Sequence, residues 1–248
     1  MQLKKNKLGA AKNIRFVSVA GKEAPFNYAE AFKSLRTNLN FLTNTSGVRS
    51  ILITSAVPEE SKSTTAINLA LTLASSGHSV VLVEADLRKP VLRKYLKREM
   101  GASGLSAYLS GLVGLEDCIT DLTDLGISVI PAGVIPPNPA ELLNSTRMAE
   151  LLGLLKQNYD YVLLDAPPVT VVTDAAVVGH MTDGALLVVR SRFASARTIR
   201  QAKAKLEAVG IPILGGVLTR FNMRKSGWRS GYNYKNYEYG YGQSRTRR

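Results

Sequence analysis

The stretch that decides the fold is Ser50-Ile-Leu-Ile-Thr-Ser55, followed by Ala56-Val57-Pro58-Glu59-Glu60-Ser61-Lys62-Ser63 and then by Thr64. The Ile-Leu-Ile centre of Ser50 to Ser55, rich in β-branched residues, reads as a buried strand. Lys62 opens a helix that runs to about Ser76 and is stopped by Gly77. Strand, tight turn, Lys-Ser and helix is the context of a phosphate-binding loop, whose backbone N–H groups and helix N-terminus wrap an anion. The usual spacing is GxxxxGK[ST]. Here both glycine positions are substituted, by Ala56 and Ser61. Ser61 stands where the backbone normally comes closest to phosphate, a place that favours glycine.

Two further apolar strands end in carboxylates. Ser79-Val-Val-Leu-Val-Glu84 leads into Ala85, Asp86 and Arg88, and Tyr161-Val-Leu-Leu-Asp165 leads into Ala-Pro-Pro168. Acidic residues at the C-terminal ends of neighbouring parallel strands face one crevice. Magnesium prefers one or two carboxylates together with phosphate oxygens and water. The chain is therefore expected to bind ATP and Mg²⁺. The loop residues Pro58, Glu59, Glu60, Ser61, Lys62, Ser63 and Thr64 would hold the nucleotide, with Lys62 reaching the β- and γ-phosphates. Ser63, Asp86 and Asp165 would hold the metal.

Working outward, a helix is predicted from about Tyr28 to Leu42, with Asn27 as its N-cap and Glu30 completing a capping box. Short helices broken by glycine are expected over 90–126, and a short strand at Ile127 to Pro131. Pro136 to Pro139 forms a stiff turn into helical Ala140 to Leu143. A helix follows from about Ser145 to Gln157. Strands at Ala185 to Val189 and Pro212 to Leu218 flank a helix from about Ser195 to Val209. Apolar strands alternating with helices predict an α/β fold, a parallel sheet covered on both faces. The expected organisation is a basic arm over 1–26, a nucleotide-binding domain over 27–220 and a low-complexity tail over 221–248.

The chain has 248 residues and a formal net charge of +13. Residues 1–25 carry +5 and residues 220–248 carry +7, leaving the domain between them near neutral. Basic ends of this kind suit an anionic membrane surface, nucleic acid or an acidic partner surface. The single cysteine, Cys118, excludes an internal disulfide. The N-terminus lacks the apolar core of a secretory signal, and no apolar run is long enough to span a bilayer. A cytoplasmic location is expected.

SAVPEESKSTTAINLA (55–70), VVLVEADLRKP (80–90) and YVLLDAPPV (161–169) resemble the Walker A, A′ and B motifs of the bacterial tyrosine kinases, a deviant P-loop family. EAFKSLRTNL from Glu30 and IPPNPAELL from Ile135 resemble the same family. The resemblance implies a P-loop NTPase fold of the deviant Walker type and ATP-dependent phosphorylation of protein tyrosines in capsule and exopolysaccharide control. It makes Lys62 the phosphate-binding lysine, Ser63 and Asp86 metal ligands and Asp165 the Walker B aspartate. Glu84 falls where the family has the first aspartate of Walker A′, the candidate base for the incoming phenol, so Lys62, Glu84 and Asp86 form the expected catalytic set. Glu30, Lys33 and Arg36 match a pattern used for ring-like self-association, with Lys33 where that pattern has arginine.

Ten tyrosines occur, and five of them, Tyr232, Tyr234, Tyr237, Tyr239 and Tyr241, lie within ten residues of the tail. A packed core does not use that composition. The resemblance makes these tyrosines autophosphorylation sites for a neighbouring subunit. Each phosphate adds about −1.5 to −2 charges, so several would cancel the tail's positive charge. The resemblance also implies a transmembrane polysaccharide co-polymerase adaptor that recruits the chain to the inner membrane face and activates it, protein substrates and a cognate phosphatase. No nucleic acid is expected. The alternatives are a partitioning or positioning ATPase, against which Val57 stands where such proteins carry a signature lysine, and a nucleotide-binding scaffold without turnover.

Overall fold

The computed structural model describes residues 18, 19, 24–101 and 103–221. The tail tyrosines and most of the basic arm lie outside the described residues.

The chain alternates between helix and strand. Helix α1 (Phe26–Ser46) precedes β1 (Ser50–Ser55), α2 (Lys62–Ala74) and β2 (Val80–Glu84). Two short helices, α3 (Leu92–Leu96) and α4 (Leu105–Leu109), lead to β3 (Thr120–Leu122) and β4 (Ile127–Ile130). Then come α5 (Pro139–Leu143), α6 (Thr146–Asn158), β5 (Tyr161–Asp165), α7 (Asp174–Gly179), β6 (Gly184–Arg190), α8 (Ala196–Ala208) and β7 (Ile213–Thr219). The seven strands form one sheet in the order β3-β4-β2-β5-β1-β6-β7. Six strands run parallel, and β3 pairs antiparallel with β4 at one edge.

Side-chain alternation along the strands builds two cores. Leu52 of β1, with Val81 and Val83 of β2, faces the side covered by α5, α6, α7 and α8. Ile51 and Ile53 of β1, with Val80 and Leu82 of β2, face the side covered by α1 and α2. Both faces of the central strands are dry, which is why β1, β2 and β5 read as continuous apolar runs.

The structure corrects the sequence reading at four places. Helix α1 begins at Phe26 after Pro25 and has no side-chain cap, so the Asn27–Glu30 capping box does not form; Glu30 pairs instead with Lys33. The 90–126 region contains β3 as well as short helices. Helix α7 follows the Pro167-Pro168 turn, where no helix was expected. Strand β7 alternates between half-buried and exposed residues, as suits a sheet edge. By contrast, Ser145 and Ser195 do start their helices: their hydroxyls accept the backbone N–H of Met148 and Thr198.

Candidate functional site

Because β5 lies between β1 and β2, the C-terminal ends of three strands meet at the centre of the sheet. Asp165 pairs in register with Ile53 on one side and with Glu84 on the other. The loop after β1 and the turn after β2 therefore converge above Asp165.

Lys62, the first residue of α2, points into this convergence. Its Nζ lies 2.9 Å from Asp86 Oδ2 and 3.4 Å from both Asp165 Oδ1 and Ser63 Oγ. Burial disfavours the Lys62 ammonium, but Asp165 and Asp86 outweigh it and hold the group above the usual lysine range. Asp165 is fully buried, and burial pushes its carboxyl up to about 6, with Lys62 and Ser63 pulling it back and Asp86 and Glu84 pushing further. Among the described residues, Asp165 Oδ2 is the buried side-chain oxygen without a hydrogen-bond partner.

That orphaned oxygen tests the fit of a metal. With Ser63 and Asp86 it offers a small set of hard oxygen donors beside the phosphate loop, as Mg²⁺ requires. No cluster of three or more His, Cys, Asp or Glu side chains suited to a metal occurs among the described residues. Ligands beyond this set would have to come from phosphate and water.

The loop itself is strained and braced. Glu59 and Ser61 both take left-handed backbone angles, φ 66° and 72°. Glu60 turns inward, where its side chain is wholly buried. Its Oε2 accepts Val57 N at 2.9 Å, its Oε1 accepts Arg190 N at 3.2 Å, and its carbonyl accepts Thr219 Oγ1 at 2.9 Å. Glu60 thus fixes the loop to the ends of β6 and β7, and it does not line the adjoining cavity. The other six residues of the expected nucleotide set line a cavity of about 390 Å³, together with Asp86.

Glu84 is held differently from the expectation. Its Oε1 accepts the backbone N–H of Val91 and of Leu92, and its Oε2 accepts Ala132 N at 3.0 Å. The carboxylate clamps the start of α3 and the end of β4, and both oxygens are engaged. Asp86 is better placed toward the ligand, with Oδ2 on Lys62 and Oδ1 accepting Lys89 N at 3.1 Å.

Sequence reading missed Asp174. It is fully buried and receives both Nε and Nη2 of Arg88, at 2.8 and 3.0 Å. This fork orients the turn after β2, whose Arg88 also lines the cavity. The only signal was an aspartate near a double proline, which does not distinguish an anchor from a surface residue. On α1, Lys33 pairs with Glu30 at 2.7 Å, whereas Arg36 donates to the Thr72 carbonyl of α2 at 3.2 Å.

A family model described as AAA domain matches residues 51–209. The tyrosine-protein kinase YwqD of Bacillus subtilis is 36% identical over 206 residues, covering 83% of this chain and 85% of that protein. The tyrosine-protein kinase CpsD of Streptococcus agalactiae is 34% identical, covering 78% of this chain and 82% of that protein. The kinase domain of the Escherichia coli tyrosine kinase ETK superposes with a TM-score of 0.77 at 32% identity, over 92% of this chain and 90% of that domain. A more distant fold neighbour is cobyrinic acid a,c-diamide synthase from Mycobacterium smegmatis, solved with an ATP analogue and magnesium (TM-score 0.63, 18% identity, 71% of this chain and 74% of that one). With relatives of this identity covering more than two thirds of the chain, and a kinase domain superposing over 92% of it, the chain belongs to the bacterial tyrosine-protein kinase family.

Proposed function

We propose that the chain transfers the γ-phosphoryl group of ATP to tyrosine hydroxyls, with Tyr232, Tyr234, Tyr237, Tyr239 and Tyr241 of a neighbouring subunit among the acceptors, and thereby controls capsule or exopolysaccharide assembly. The observation that carries this reading is the Lys62 ammonium held between Asp86 and Asp165 at the mouth of the loop, beside the orphaned Asp165 oxygen.

The backbone N–H groups of 58–64 cradle the phosphates, and α2 adds positive potential at its N-terminus. Lys62 exchanges its aspartate partners for phosphate oxygens and stabilises charge on the group in flight. Asp86, Asp165 and Ser63 would hold magnesium, which would supply positive charge to neutralise the phosphates. The phenol oxygen forms the new bond to phosphorus, ADP leaves, and the phenol proton passes to a carboxylate. A free phenol has a pKa near 10, so a neighbouring base helps. In the present geometry Glu84 serves as a positioning residue for the turn that carries Asp86.

Among the described residues no helix is long and apolar enough to cross a membrane. An adaptor in the membrane fits the basic ends and would recruit and activate the chain. Ring-like assembly through Glu30, Lys33 and Arg36, protein substrates and an opposing phosphatase belong to the same proposal.

The test is an anti-phosphotyrosine blot of full-length protein with ATP and Mg²⁺, in the presence of its adaptor. Signal in the wild type that disappears in Lys62→Met supports the assignment. No signal with adaptor present favours a scaffold that binds nucleotide without turnover, and signal surviving in Lys62→Met overturns the site.

A further inference from the structure

A second cavity, about 530 Å³, opens beside the phosphate loop at the ends of β2 and β4. Its apolar walls are Pro90, Pro131 and Val134, and Arg93 and Lys94 of α3 stand at its rim. Glu84 forms part of its floor, but that carboxylate is nearly wholly buried and already receives three backbone N–H groups. The Pro131 wall is set by Gly104, where any Cβ would fall 2.4 Å from the Pro131 carbonyl oxygen.

Arg93 and Lys94 belong to a strongly basic stretch of the chain, whose Arg88 and Lys89 line the phosphate-loop cavity. Residues 88–98 carry Arg88, Lys89, Arg93, Lys94, Lys97 and Arg98 and no acid. Two of these are matched: Arg88 by Asp174 and Arg98 by Asp124. Among the described residues Lys89, Arg93, Lys94 and Lys97 have no carboxylate partner, and Arg93 bonds only the Gly101 carbonyl. The domain as a whole is near neutral, so this is a local excess built into one turn and helix.

We propose that this cavity docks a phosphotyrosine of a tail that is already partly modified, holding that tail while the next tyrosine enters the phosphate-loop cavity. The proposal rests on the tyrosine-transfer reading. A ring between proline and valine walls with cations at the rim matches an aromatic side chain that ends in a dianion, whereas a free phosphate gains nothing from the apolar walls. The two cavities share one turn. Glu84 lines the first, and Asp86, two residues on, lines the second. An extended chain advances about 3.3 Å per residue. Tail tyrosines two to nine positions apart therefore span up to about 7 to 30 Å, a reach suited to two cavities that share one turn.

The consequence is ordered, processive modification. An unmodified tail carries positive charge and is repelled by Arg93 and Lys94, whereas the first phosphate turns that repulsion into attraction.

The decisive experiment needs no catalysis. Fluorescence anisotropy compares peptides covering residues 230–242, with and without phosphate on Tyr237, binding to full-length Lys62→Met protein. The same protein carrying Arg93→Ala and Lys94→Ala is the comparison, and Lys94→Gln alone is a milder variant at an exposed side chain. We expect the phosphopeptide to bind at least tenfold tighter than the plain peptide, and the preference to vanish in the double variant and shrink in Lys94→Gln. Equal affinities for the two peptides, or a preference that survives the double variant, overturn the proposal. So does a double variant that loses binding to phosphatidylserine vesicles but not to phosphopeptide, which would make the strip a membrane surface. In a parallel time course with active protein, mass spectrometry should show multiply phosphorylated chains in the wild type and singly phosphorylated chains in the double variant. If no tyrosine gains phosphate in either, the tyrosine-transfer reading falls, while the binding arm still decides the pocket.

Discussion

The Lys62 ammonium lies 3.4 Å from one oxygen of Asp165, while the other oxygen of that buried carboxylate has no hydrogen-bond partner. The site therefore stores an unfavourable arrangement that a ligand can relieve. Asp165 has a folded pKa of about 6 against an ordinary 3.8. A carboxylate raised on folding contributes stability that is complete below its unfolded pKa and is lost as pH rises through the folded one. Without ligand, the wild type should lose stability between about pH 4 and pH 6, on the order of a few kcal/mol at most. Asp165→Asn removes that dependence. Thermal melts should put the variant close to wild type at about pH 4, part of the way above it at pH 5 and furthest above it at pH 7.5, while the stabilisation by Mg²⁺ and ATP disappears. A variant that melts lower than wild type at pH 7.5 would contradict the strain argument.

Glu84 gives a second separation. If it acts as a clamp, Glu84→Gln turns an amide donor toward one of three backbone N–H groups and leaves that group unsatisfied. Losing a charge-assisted buried contact costs about 2 kcal/mol. For a domain of this size the melting temperature should drop by about 4 to 8 °C. If Glu84 acted only as a base, the same substitution would abolish turnover and leave the melt unchanged. Glu84→Asp keeps the charge but is one methylene shorter, so under the clamp reading it should also lower the melt.

How much of this was legible in the sequence depends on range. The β1, β2 and β5 runs and the residues ending them predicted the converging site, because strands buried on both faces advertise themselves by continuous hydrophobicity. The Ser145 and Ser195 caps are local signals and were readable. The inward turn of Glu60 depends on Arg190 and Thr219, about 130 and 159 residues away, and the burial of Asp174 depends on Arg88, 86 residues back. Side chains whose partners are that distant in sequence look like surface charges until the sheet brings them together. The Asn27–Glu30 capping box failed for a nearer reason: the helix starts two residues earlier, at Phe26 with Pro25 in the N-cap position, so Asn27 already lies inside it.

Ser61 offers a test of loop strain. Its φ of 72° is a conformation that costs an L-residue with a side chain about 1 to 2 kcal/mol and costs glycine little. Ser61→Gly should raise the melting temperature by about 2 to 8 °C. Nucleotide affinity, measured by calorimetry with Mg²⁺ and ATP, should hold or improve, since the phosphate meets backbone alone. Ser61→Val, β-branched at the same angle, should lower the melt. If glycine weakens nucleotide binding, the Ser61 hydroxyl is itself a ligand.

The α1 residues proposed for assembly separate into two groups by their contacts. Arg36 donates to the Thr72 carbonyl of α2 within one chain, whereas Glu30 and Lys33 pair on the helix surface. Removing a partly buried guanidinium that bonds a carbonyl costs about 1 to 2 kcal/mol, so Arg36→Ala should lower the melt of the monomer as well as any assembly. An exposed pair three residues apart contributes little to stability. Glu30→Ala should therefore leave the melt within about 0.5 kcal/mol of wild type, and any effect should appear in sedimentation velocity. A smaller sedimentation coefficient for Glu30→Ala at unchanged stability assigns Glu30 to the contact between subunits. If Glu30→Ala sediments as wild type and only Arg36→Ala shifts, the α1 pattern is a packing device between α1 and α2, and the ring proposal loses its surface.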